Sequence, residues 1–167
     1  MTPGVLSREL RTGSGGHLGQ RRAVAALSLT GAASMGLITL YQLGIIKHLP
    51  ELPFPWFNAD AVDASAEAYQ YLAAPDATIG LASYSATLLL DAVGGRDRAS
   101  AKPWLPLALT AKVALDVANA ARLSIDQWTK HRAFCMWRLL AAGSTFATLP
   151  LVAPEVLAAV RALRGNR

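Results

Sequence analysis

Positions 23–46 contain no charged residue, and the block is built from Ala, Leu, Ile and Gly with isolated Ser, Thr, Tyr and Gln. About 20 helical residues at ~1.5 Å each cover the roughly 30 Å hydrocarbon core of a bilayer, so the block predicts a first membrane-spanning helix. Three more apolar blocks follow at 77–93, 103–125 and 134–153. The second carries Asp91 near its end and closes on the turn Gly94-Gly95-Arg96-Asp97-Arg98. In the fourth, Pro150 and Pro154 weaken the last turn. The pattern predicts an all-α membrane protein, a bundle of four transmembrane helices that satisfy their own backbone hydrogen bonds.

The connection between the first two blocks is long. It opens with Leu49-Pro50-Glu51-Leu52-Pro53-Phe54-Pro55-Trp56-Phe57, which cannot continue a helix and suits a membrane interface. Asn58 is placed to cap a short loop helix with Asp60, Asp63 and Glu67 on a solvated side and Val62, Ala66, Tyr69 and Ala73 on the other. Residues 1–20, rich in glycine, read as a flexible tail, residues 21–154 as one transmembrane domain and residues 155–167 as a second tail.

Basic residues set the sidedness. Arg8, Arg11, Arg21 and Arg22 precede the first block, Arg96, Arg98 and Lys102 follow the second, and Arg161, Arg164 and Arg167 follow the fourth. Only Lys47, Lys130 and Arg132 fall on the other face. Since cytoplasmic connections carry the excess of Lys and Arg, both termini are predicted to be cytoplasmic and the loop helix extracytoplasmic, in a multi-pass protein of the cell (inner) membrane.

Composition agrees: 53% of residues are hydrophobic and 16% charged, which favours the lipid bilayer as partner over the alternative of an alanine-rich soluble bundle. The net charge of +5 sits beside the apolar blocks and forms no stripe with aromatics, so nucleic acid is not an expected partner. One cysteine, Cys135, excludes an internal disulfide. His48 and His131 lack ligand spacing and the loop acids lack a calcium-loop pattern, so no metal site is indicated.

Two local runs carry a family resemblance. Pro75-Asp76-Ala77-Thr78-Ile79-Gly80-Leu81-Ala82-Ser83-Tyr84 and Cys135-Met136-Trp137-Arg138-Leu139-Leu140-Ala141-Ala142 resemble, in order and sidedness, the second and fourth helices of the vitamin K epoxide reductase family. The resemblance implies a helix bundle around a quinone pocket, with Asp76, Gly80, Tyr84, Trp137 and Arg138 at that pocket and Cys135 as the remnant of a Cys-x-x-Cys motif. It also implies an activity: a loop cysteine pair passes electrons from a partner thiol to the Cys-x-x-Cys and on to quinone. Here the loop has no cysteine, the second cysteine of the motif falls at Arg138, and a tyrosine of animal members falls at Ala142. Thiol exchange needs an attacking and a resolving sulfur, so one cysteine cannot complete that cycle.

Three functional readings follow. The first is a quinone-binding protein of this thiol-disulfide oxidoreductase family with a degraded relay. The second is an active oxidoreductase that uses Cys135 with the cysteine of an extracytoplasmic thiol protein. The third is a structural or lipid-binding membrane module. A helix N-terminus and neighbouring Lys130, His131, Arg132 and Arg138 would stabilise a thiolate at Cys135; the competing reading is an inert buried thiol. Arg138 either donates to a quinone carbonyl or another anionic head group, or snorkels to water or pairs with a loop carboxylate, and Asp76 either meets the quinone or caps its helix. Lys112, Asp116 and Asn119 share one face deep in the third block, as a proton path or as a packing pair.

Overall fold

Pro3 in the first turn opens a helix that the glycine-rich composition hides: α1 (Pro3–Thr12) is followed at once by α2 (Leu18–Gln42) in the computed structural model, which describes residues 2–70 and 72–165. Within the stretch read from sequence as a flexible tail, residues 3–12 are thus helical. Pro fits the first turn because its missing N–H is unpaired there anyway, and Arg22 donates to the Leu10 and Gly13 carbonyls (3.0 and 2.9 Å) at the other end of α1. α2 starts five residues before the apolar block and stops before Gly44, whose φ of +75° suits a residue without a Cβ.

The long connection folds over one end of the helices. Asn58 Oδ1 accepts from the Ala61 N–H (2.9 Å) and caps α3 (Ala59–Asp63), and a 3₁₀ turn follows at Ala66–Tyr69. An isolated bridge pairs Phe57 with Phe134, and Trp137 Nε1 donates to the Pro50 carbonyl at 2.6 Å, so the loop is strapped to the start of the last helix. Next come α4 (Asp76–Ala92), the short α5 (Arg98–Ala101), α6 (Trp104–Asp126), which continues into a π turn at Gln127–His131, and α7 (Met136–Gly165).

The expected end of the last apolar helix near residue 153 is corrected. α7 runs through Pro150 and Pro154 to Gly165, and Glu155 and Ala159, assigned to a tail by sequence, are buried. Proline removes a helix hydrogen bond, but packing on both flanks and an ion pair at Glu155 hold the segment. Arg167, counted in the C-terminal basic group, lies outside the described residues.

Among the described residues the regular elements are all helices, with no strand. α2 packs against α4 and α7, and α6 against α7, whereas α4 and α6 meet over a much smaller stretch. α2 and α7 are each long and apolar enough to cross a membrane. Leu29 on α2, Leu89 on α4, Leu115 on α6, and Leu140 and Leu157 on α7 stand exposed, the opposite of what water alone would select for a run of large apolar side chains. One apolar core lies under α3 (Met35, Ile38, Val62, Ala77, Cys135, Ala141), and another toward the far end (Val24, Leu109, Val113, Val152).

At that far end two arginines that sequence counted as connection charges are buried. Arg98 donates through Nε and Nη2 to both carboxylate oxygens of Glu155 (2.8 and 2.7 Å) and through Nη1 to the Leu90, Asp91 and Val93 carbonyls (2.7, 2.7 and 3.0 Å). Arg21 donates to the Asp91 and Gly95 carbonyls. The last carbonyls of a helix lack intrahelical donors and carry partial negative charge, so the two guanidinium groups cap α4 while tying it to α2 and α7.

Candidate functional site

The gap between α4 and α6, floored by α2 and α7, is a cavity of about 540 Å³. Small residues shape it. A Cβ at Gly80 would collide with the Met35 sulfur and one at Gly31 with the Tyr84 ring, so glycine at these positions lets α2 and α4 approach closely. Ala141 and Ala142 leave the α7 wall low.

Of the residues singled out by sequence, Asp76, Gly80, Tyr84 and Arg138 line this one cavity, and so do Asp116 and Asn119. Trp137 does not. One residue before Arg138 on the helix, it points toward the loop, where its ring N–H is spent on Pro50, and the quinone-pocket assignment for it is corrected. Cys135 is also off the cavity wall, inside the core under α3. Lys112 lies behind Asp116, donating to the Ser83 carbonyl, Ser83 Oγ, Thr87 Oγ1 and Asp116 Oδ2.

Arg138 enters the cavity already paired. Its Nε donates to Asp63 Oδ1, and Nη1 and Nη2 grip the two oxygens of Asp76 at 2.8 Å each. Gln42 completes the cluster: Nε2 donates to Asp76 Oδ1 (2.9 Å) and to the Asp63 carbonyl (3.2 Å), and Oε1 accepts from the Ala77 N–H (3.3 Å). Asp76 therefore does not cap its own helix through its side chain; Gln42 satisfies that helix end instead.

Asp63 corrects the picture of a solvated acidic loop face. It is 0% exposed, and burial pushes its carboxyl above the usual range, with Arg138 opposing. Its Oδ2 has no partner of ordinary geometry, and the Cys135 thiol is the weak donor beside it.

Cys135 stands just before α7, also 0% exposed, with its backbone N–H bonded to Gln127 Oε1 at 2.8 Å. The π turn is what brings Gln127 under it. Burial and the Asp63 carboxylate push the thiol up, against the opposing pull of Arg138, so the expected thiolate-stabilising surroundings are corrected to thiolate-disfavouring ones. A maleimide reagent is expected to label Cys135 at least about tenfold more slowly in the native protein than after denaturation; equal rates by mass spectrometry would contradict this placement.

Sequence reasoning missed Gln42, Gln127 and Thr145, and read Asp63 as a surface acid. None has a local signature: each takes its role from a partner at least eight residues away, most of them on another helix.

A family model described as "Vitamin K epoxide reductase family" matches residues 22–153. No curated protein matches the chain.

Proposed function

The chain belongs to the vitamin K epoxide reductase family, and from that premise we propose that it is a membrane-embedded, quinone-binding member in which ion pairs stand where the thiol relay would be. The observation that carries this reading is the single cavity lined by Asp76, Gly80, Tyr84 and Arg138. Its lining fits a quinone head group: Met35, Ile79, Leu123 and the α7 alanines offer apolar contact to a ring, and polar groups stand at both ends for its two oxygens. A bound quinone would supply two-electron redox chemistry. The residues here bind and orient it, with no second sulfur to exchange electrons with.

In this reading α2, α4, α6 and α7 all cross the cell (inner) membrane, with both ends cytoplasmic and α3 and Cys135 on the outer side. The basic residues of the connections support that orientation, and the gap between α4 and α6 then opens toward lipid. The burial of Cys135 speaks against the alternative in which it attacks a partner protein's disulfide.

The test uses the purified protein in detergent. A quinone is expected to bind with saturation, and a dithiol supplied in excess is expected to produce no quinone reduction above the protein-free rate. Robust turnover would refute the loss of the relay, and absence of saturable binding would refute the site.

A further inference from the structure

The inference concerns which redox form the cavity takes, and it rests on the quinone-site reading above. At the deep end of the cavity nearly every polar hydrogen is already committed. Tyr84 donates its one hydroxyl hydrogen to the Ala141 carbonyl at 2.6 Å, and Thr145 Oγ1, 2.7 Å from Tyr84 Oη, shares that carbonyl at 3.2 Å. Ser83 Oγ donates to Asp116 Oδ1 at 3.0 Å, and the Lys112 ammonium, with three hydrogens, faces four acceptors.

What remains unfilled there is acceptor capacity. Asp116 is fixed on two sides by Lys112 and Ser83, lines the cavity with 27% of its side chain exposed, and has about four lone-pair sites of which two are used. It lies ten residues before the end of α6, about 15 Å along the helix, which in the membrane-crossing reading above places it away from bulk water. A quinone oxygen placed at that end is an acceptor facing a carboxylate, which is repulsive. A hydroquinone hydroxyl donates to it, and a hydrogen bond to an ionised acceptor is among the stronger kinds. Asn119, an amide, serves either form. So does Arg138 at the other end, whose guanidinium sends three of five N–H groups to Asp63 and Asp76.

We propose that the cavity binds the reduced hydroquinone in preference to the quinone, with Asp116 as the residue that sets the preference. The purified full-length protein in detergent, kept anaerobic, is titrated with a short-chain isoprenoid 1,4-naphthoquinone and separately with the same compound reduced by dithionite. The reduced form is expected to bind about tenfold more tightly or better, and Asp116→Asn to bring the ratio close to one. A second readout needs no variant: the two-electron midpoint of the bound compound is expected to rise by about 30 mV per tenfold preference. Equal or tighter binding of the quinone overturns the preference and leaves the quinone site standing. If neither form binds, both readings fail.

Discussion

Arg138→Ala is expected to destabilise the protein by about 3–5 kcal/mol, because it strips the counter-charge from one fully buried and one mostly buried carboxylate. Asp63 is 0% exposed and Asp76 only 17% exposed at its side chain, and Arg138 is the one cation within salt-bridge distance of either among the described residues. In thermal unfolding of the purified protein in detergent this amounts to a drop on the order of 10 °C. The mechanism makes a sharper demand than destabilisation alone. A buried pair replaced as a whole by neutral groups costs little, whereas one partner removed alone costs much. Arg138→Gln combined with Asp63→Asn and Asp76→Asn is therefore expected to recover most of the loss. If the triple variant melts lower than Arg138→Ala, shape and not charge is what the cluster supplies.

That cluster gives the missing second cysteine a physical meaning. A disulfide at residues 135 and 138 would tie one turn of α7 to itself. Arg138 instead joins α7 to α3 through Asp63 and to α4 through Asp76, with Gln42 adding α2. The loop is held over the helices by charge and hydrogen bonds, and Cys135 is enclosed as a result. The burial of the thiol and the ion pairs of Arg138 thus belong to one arrangement of the loop over the helices.

How much of this was legible in the sequence depended on the range of the interaction. The uncharged block at 23–46 announced a long apolar helix, because hydrophobic length is a local property, and Asn58 announced a cap because a cap bonds three residues away. The two motif runs drew attention to Asp76, Gly80, Tyr84 and Arg138, which the fold brings to one cavity. A pairing of Arg138 with a loop carboxylate was among the readings the sequence left open, but which carboxylates it grips was not legible: its partners lie 62 and 75 residues away. The same holds for Arg21 and Arg98, which looked like loop charges because their neighbours in sequence are polar, yet are 5% and 1% exposed. α1 escaped notice because Gly4 within it and the glycines that follow it lowered the local apolar content, while the residue that fixes its end, Arg22, lies beyond the next turn.

The second large effect is expected at this opposite end, from Arg98→Ala. The substitution removes five hydrogen bonds at once and leaves Glu155, 3% exposed, with no cation in contact among the described residues, while Asp91 keeps only the 3.9 Å approach of Arg21. The Leu90 and Val93 carbonyls at the end of α4 lose their donor, while the Asp91 carbonyl keeps only Arg21. The expected loss is again about 3–5 kcal/mol, with a melting drop on the order of 10 °C. Arg98→Lys is expected to fall between, since an ammonium keeps the charge but cannot span a carboxylate and three carbonyls with a planar fork. Arg98 does not line the cavity, so at temperatures where the variant is still folded its quinone affinity is expected to match the parent protein. Arg138→Ala, by contrast, removes a cavity wall and is expected to weaken that affinity. A variant at Arg98 that melts with the parent protein would mean that this end of the helices is held by α2 and α7 packing alone.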